Sequence, residues 1–413
     1  MGTNRLTGAI ILAAAATIGS NTFVDPSVIP GVDGAPYKIG NLILASAGGV
    51  TGTGTLSIVG PGGTTHPTAL GSAGGPRNLN INGGTFEVVG DTYDPGATNM
   101  YYVIGAAGGT VRSRLGSTIF INDGGGAAPG QLSGAGDLLF TGGGRYSLSG
   151  GTPTFPNYTG KVTVDGGVLL VGNSTSLGGR ADQTITLKSG SALLNGAPTG
   201  LGTNGLINNV VIEGGVEVHG AGGTRAFSGT VDFSGTNTIV LTDRDALASE
   251  RGLVFNGRVT GTGVTLNVFG IFNTTPMYLA DSSNDFTSTN INLNANAVLE
   301  ARTPGSLGMA TGGVTVNLNG PNSRFLLRHY QNGDYHANVT ISNLAEVSSD
   351  RLVNYAGGAN QLLTINDLAI TAAAADKIVT FANANTYMTR VAGAATIGEI
   401  GRASCRERVS PRV

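Results

Sequence analysis

The chain has 413 residues, 69 of them glycine, with 40% hydrophobic residues, only 12% charged and no tryptophan. Glycine at more than twice its ordinary share of about 7%, without a three-residue period, excludes collagen, and a cost of about 1 kcal/mol per helical glycine excludes long helices and coiled coils. The near balance of 23 basic and 25 acidic residues offers no electrostatic footprint for nucleic acid or an anionic membrane, which leaves glycine-punctuated β-structure.

Residues 1–20 carry one arginine, Arg5, ahead of the apolar run AIILAAAATIG. The run has the length of a signal-peptide core and is too short to span a bilayer. Because AATIG returns at Ala394–Gly398, and LAITAAAAD at 368–376 has a similar look, it is read as a strand of a repeat. VTGTG stands at Val50–Gly54 and again at Val259–Gly263, each time before an alternating strand (TLSIVG, VTLNVFG). A degenerate copy is LSGAGDLLFTG at 132–142. Leu-Gly steps follow at Leu70-Gly71, Leu177-Gly178 and Leu307-Gly308. Each precedes a strand–turn–strand unit: NLNINGGTFEVV (78–89), TITLKSGSALL (184–194) and VTVNLNGPNSRFLL (314–327). NNVVIEGGVEV (208–218) likewise matches ANVTISNLAEV (337–347).

Alternation at Leu79/Ile81, Ile185/Leu187 and Val316/Leu318 turns one side of each short strand inward and leaves Asn, Thr and Lys outside. Gly-Gly, Asn-Gly and Ser-Gly pairs supply positive-φ turns, which would also close the hairpins of a β-sandwich. Units recurring roughly every 20–25 residues with small cores fit the coils of a solenoid better. Parallel stacking gives asparagine a role as well, because amides at equivalent positions form ladders. At about 22 residues and about 4.8 Å per rung the rod would be on the order of 85 Å long.

The chemistry-bearing residues are sparse. His66, His219, His329 and His336 form no H-x-x-x-H pattern, so zinc is unsupported. Tyr93, Tyr101 and Tyr102 are read as packing residues, with an aromatic platform for sugars as the alternative. Gly105–Gly109 and Gly124–Gly126 lack the lysine of a phosphate loop, and GAGD at 134–137 is a single copy of a calcium-repeat pattern that requires tandem copies. Asp243 and Asp245 sit at i and i+2, the spacing that would pair carboxylates for glycan cleavage on one strand face, but nothing else converges there and a solvated turn is the preferred reading. RHYQNGDYH at 328–336 is read as a loop bulging from a coil.

The last residues, 399–413 (EIGRASCRERVSPRV), hold the only cysteine, Cys405, and four arginines. Glu399–Val409 resembles the in-frame translation of a short-read sequencing adapter. Residues 399–413 are therefore read as a non-native tail and 1–398 as a single solenoid fragment whose natural end lies further on. Disulfide, zinc-finger, haem and thiol-nucleophile readings fall with Cys405.

Residues 133–179 read SGAGDLLFTGGGRYSLSGGTPTFPNYTGKVTVDGGVLLVGNSTSLGG. Gly134/Gly136/Leu138, Leu148-Ser149-Gly150, Tyr158-Thr159-Gly160, Val164/Gly167/Leu169 and Leu177-Gly178 resemble the autotransporter-associated β-strand repeat of bacterial surface proteins. Residues 281–308, in the second clear unit (256–308), resemble its second half, with Phe286 in the tyrosine position, Leu299 and Leu307-Gly308 in place, and Asn294-Ala295 where the family has paired turn glycines. The resemblance implies an all-β, right-handed parallel β-helix (β-solenoid) exported to the cell surface and normally followed by an outer-membrane β-barrel, of which no segments are seen here. The family's repeat residues are structural, so no catalytic, cofactor-binding or metal residue carries over and no cofactor is implied. The expected function is a surface-displayed or secreted structural or adhesive passenger, non-catalytic, with host or environmental glycans or surface proteins as partners and no direct membrane insertion by this fragment. The alternative is a secreted β-helix enzyme acting on polysaccharide.

Overall fold

Short strands of two to six residues with one apolar side cannot bury that side alone, and stacking them rung on rung is the cheapest solution for so glycine-rich a chain. The structure, a computed structural model, describes most of residues 77–398 and, before them, only the backbone of short strands. Residues 90–91, 94–99, 122–131, 149–157, 173–176, 178–179, 196–204, 221–223, 243–251, 273, 353–359, 372–378 and 399–413 lie outside the described residues. No helix occurs among the described residues, and every pairing between their strands is parallel. The chain is an all-β parallel solenoid, and the hairpin alternative falls because successive strands never pair with each other.

Followed along the chain, the strands visit three faces in rotation. Face 1 carries a five-stranded sheet towards the N-terminal end and a seven-stranded sheet towards the C-terminal end. Face 2 carries an eleven-stranded sheet and then a three-stranded one, and face 3 is a continuous thirteen-stranded sheet. Single bridges, Gly134 to Tyr158 and Leu206 to Phe227, mark face 1 between its two sheets. The thirteen rungs of face 3 extend roughly 60 Å at about 4.8 Å per rung.

The inward side chains form one continuous core from Leu79 to Tyr387. Val162, Ile185, Val210, Val231 and Val259 stand in register on face 2 and all are buried. Each such residue contributes roughly 1.5–3 kcal/mol by leaving water. The alternating pairs Leu79/Ile81, Ile185/Leu187 and Val316/Leu318 all point into this core, as their period of two requires.

The expected spacing of roughly 20–25 residues holds for most coils: 25 residues separate Asn267 from Asn292 and Asn292 from Asn317, 21 separate Val210 from Val231, and 28 separate Val231 from Val259. One expectation changes: the sequence units repeat a corner rather than a coil. NLNINGGTFEVV turns from face 1 (Arg77–Asn82) to face 2 (Thr85–Val89), and TITLKSGSALL from face 2 (Thr184–Leu187) to face 3 (Ser191–Asn195). VTVNLNGPNSRFLL turns from face 3 (Val314–Leu318) to face 1 (Ser323–Arg328). All three corners pose the same local problem, a strand, a tight reversal and another strand, so the same pattern solves each. The echo of AATIG behaves alike: Ala16–Gly19 is a strand on face 2, paired with Thr55–Val59, while Ala395–Ile397 is a strand on face 3.

The residues that carry the family resemblance have structural roles. Gly105, Gly136 and Gly160 succeed one another between faces 1 and 2. A Cβ on Gly136 would collide with the Gly105 carbonyl oxygen, and one on Gly160 with that of Gly136. Beside them Tyr158 is buried and donates its hydroxyl to the Lys161 carbonyl at 2.9 Å, and burial pushes its pKa up. Phe286 is buried too, but it stands on face 2 within Asp285–Thr287, not in the bridge position of Tyr158. At the turn where Asn294-Ala295 replace the expected glycines, Asn296 takes the left-handed conformation (φ 55°), which asparagine tolerates better than most residues.

Candidate functional site

Of the residues singled out in the sequence, several prove structural. Tyr102 is fully buried, edge-on to Phe86 with ring centroids 6.2 Å apart, so it belongs to the core and not to a sugar platform. The side chains of Tyr93 and Tyr101, together with His66, Gly124–Gly126, Asp243, Asp245 and Cys405, lie outside the described residues. Asp137 of GAGD accepts a hydrogen bond from the Lys161 backbone N–H at 2.9 Å, a strut between rungs. Gly108 supplies a positive φ of 75° in a turn where Asn82 Oδ1 accepts from the Ala107 N–H at 2.9 Å.

The segment 328–336 is no bulge. Gly333–Asp334 pairs with Leu363 and Thr364 on face 2, and Tyr335 is fully buried with its hydroxyl donating to the Arg328 carbonyl at 3.0 Å. The polar neighbours Asp334 and His336 hide this inward position in the sequence. His329 lies against Tyr330 (4.4 Å between rings) with Nδ1 3.0 Å from the Gln331 carbonyl, and His336 Nδ1 is 3.5 Å from Asp334. His219 Nε2 is 3.1 Å from Glu217. Among the described residues, no three His, Cys, Asp or Glu side chains gather as a metal site would require.

The outer side of face 3 holds the most ordered array of polar side chains. Alternation puts two columns outside between residues 236 and 342. Thr236, Thr265, Asn290, Thr315 and Asn338 stand in one register; Thr238, Asn267, Asn292, Asn317 and Thr340 stand in the next. All are exposed or half-buried, and none is ionisable. In the second column Asn292 Nδ2 donates to Asn267 Oδ1 and Asn317 Nδ2 to Asn292 Oδ1, both at 2.9 Å. An asparagine has two N–H donors and two acceptor lone pairs, so each rung of this ladder keeps hydrogen-bonding capacity to spare. Val240 and Phe269, in register and outward, add an apolar margin, with Phe269 42% exposed. An amide ladder is foreseeable from stacking. Its members are legible only once the 25-residue step is known.

Beside this stretch of face 3 the other faces of the same coils, and face 3 itself at Arg145 and Glu217, carry charge. On face 2, Lys188 pairs with Asp165 (3.5 Å) and Arg258 with Asp285 (3.0 Å). On face 1, the buried Glu300 faces Arg302 Nε at 2.8 Å, and the Arg302 guanidinium lies 4.3 Å over the Tyr278 ring. Arg324 donates to Glu346 at 2.9 Å. Burial holds the Arg328 guanidinium below its ordinary pKa, while Glu300 and Asp350 nearby pull it back up. Among the described residues, the outward positions of face 3 in these coils hold no ionisable side chain and offer hydrogen bonds and a flat neutral surface.

No protein-family model matches the chain, and neither a curated protein nor a solved structure matches it.

Proposed function

We infer that the chain is part of a surface-displayed or secreted structural or adhesive passenger of an autotransporter-like protein, without catalytic activity. The observation that carries this reading is the division of labour around the rod. The residues of the family-like repeat (Gly136, Tyr158, Gly160) are spent on stacking the coils, and the stretch of face 3 between residues 236 and 342, whose outward strand residues are uncharged, is left for contact with the outside. Such a rod acts by presentation: it holds a regular surface away from the cell and binds through many weak, repeated hydrogen bonds. The arrangement needs no cofactor.

The test is antibody labelling of intact cells that carry the gene, with antibodies raised against the purified chain. Labelling of unpermeabilised cells, or recovery of the chain from the medium, is the expected result. Signal confined to permeabilised cells would overturn the reading.

A further inference from the structure

We propose that the outer side of face 3 between residues 236 and 342 is a binding surface for an extended, neutral polysaccharide, laid along the rod axis across successive rungs. The proposal deepens the adhesive reading and rests on it for where the ligand is met. Cell labelling and polysaccharide retention are separate measurements, so either can fail alone.

Charge comes first. Between residues 236 and 342 neither register column contains Lys, Arg, Asp or Glu, although Glu217 stands beside Thr238 at its N-terminal edge, and the described arginines of the same coils lie on the other two faces, where Arg258, Arg302 and Arg324 are held by Asp285, Glu300 and Glu346. A nucleic acid or an acidic glycan would need cations to replace its counterions, and a cationic ligand would need carboxylates. A protein partner binds through aromatic or arginine anchors seated in pockets, and these columns hold neither. What remains is a ligand that is uncharged and rich in groups that both donate and accept, the description of a sugar hydroxyl.

Order comes second. Asn267, Asn292 and Asn317 hold one another at 2.9 Å, so their amides are oriented before any ligand arrives and little side-chain freedom remains to be lost on binding. Each rung repeats the same donors and acceptors about 4.8 Å from the last. A surface that repeats suits a ligand that repeats. A flat face buries little of any single sugar, so useful affinity requires several rungs to be engaged by one polymer. Phe269, 42% exposed in the column beside the ladder, offers the apolar area on which a sugar ring packs.

The experiment is a retention assay with the purified full-length chain on insoluble cellulose, chitin and β-1,3-glucan, and on pectate and heparin beads, at low and molar salt. Retention on at least one neutral polymer, unchanged by salt, is expected. Thr315→Arg, which puts a bulky charge in the flat face beside the ladder, should lower retention at least about tenfold, equivalent to about 1.4 kcal/mol; Phe269→Ala should lower it less. Thr260→Arg on face 2 is the control and should leave it unchanged, with circular dichroism confirming that every variant is folded. Retention on none of the neutral polymers, retention only on pectate or heparin that salt abolishes, or equal loss from Thr315→Arg and Thr260→Arg would each overturn the proposal. Shaping of ice crystals without polysaccharide retention would overturn it as well, by assigning the array to ordered water instead.

Discussion

Between residues 265 and 350 the same coils present two outer surfaces that solve one problem in opposite ways. On face 3 identical residues stack: Asn267 on Asn292 on Asn317. On face 1 the register sets opposite charges together, with Arg324 beside Glu346 and Arg328 beside Asp350. An amide is donor and acceptor at once, so a column of like amides satisfies itself. A column of like charges at rung spacing costs about 1 kcal/mol per contact even in bulk water, and more beside a protein. A solenoid repeats its rungs, so it can repeat a neutral residue freely, whereas it must alternate a charged one. That difference leaves face 3 open to partners while the groups of face 1 are engaged with each other.

The largest effect is expected at Glu300. Glu300→Ala strands Arg302 without its carboxylate and leaves Arg328 with Asp350 as its register partner, in a region where Glu300 is only 8% exposed, and a cost of about 4 kcal/mol is expected from a urea-unfolding midpoint. A cost below about 1 kcal/mol would show that the pair is hydrated and that face 1 is an ordinary surface. Next comes Gly320, in the corner that joins the two faces, where a Cβ would run into the Ala295 backbone nitrogen. Gly320→Val should cost about 3 kcal/mol by prising two coils apart, and should disturb both faces together; loss of one face alone would mean that they fold independently.

Titration separates the faces from the core beneath them. The ladder has no group to ionise, so alkaline loss of stability falls to buried tyrosines. Tyr146, under face 3, accepts a hydrogen bond from the Ser113 N–H at 2.9 Å and donates to the Thr141 carbonyl, and burial pushes its pKa up to about 12 from 10.0. A folded-state pKa above the unfolded value means that the contribution is intact below pH 10 and lost as pH rises from 10 towards 12, on the order of 2 kcal/mol. Tyr158 and Tyr335 shift the same way. Unfolding followed against pH should therefore steepen above pH 10, and Tyr146→Phe should make that decline shallower. An unchanged slope in the variant would place the titration elsewhere. The smallest effect is expected on the ladder itself. Asn292→Ala removes two ladder bonds whose partners water can reach, so it should cost only about 1 kcal/mol and be indifferent to salt.

The fold was legible where local physics decides. Leu79, Ile81, Ile185, Leu187, Val316 and Leu318 are all buried because a strand has only two sides and their period of two selects one. Which corner each unit occupies was not legible. The turn chemistry of Asn82–Gly83–Gly84, Ser189–Gly190 and Asn319–Gly320 is alike, while their positions around the coil differ. Tyr335 was hidden for a related reason: one inward aromatic between Asp334 and His336 looks like a polar loop until Gly333–Asp334 is seen to pair with Leu363 and Thr364. The uncharged array of face 3 between residues 236 and 342 was present in the sequence too, but dispersed. Asn267, Asn292 and Asn317 become neighbours only when a full coil closes over 25 residues.

Composition and alternation by themselves determined an all-β chain of short, one-sided strands joined by glycine turns, and excluded helices, because period two and positive φ are properties of a few consecutive residues. Which side chains share a column, the neutral outward array between residues 236 and 342 on face 3 and the charge pairs on faces 1 and 2 were set by the tertiary structure. Those outcomes depend on long-range register: a slip of one residue within a strand would turn its side chains to the opposite side of the sheet, whereas the turns absorb steps as different as Val210 to Val231 and Val231 to Val259 while every one of these residues stays inward.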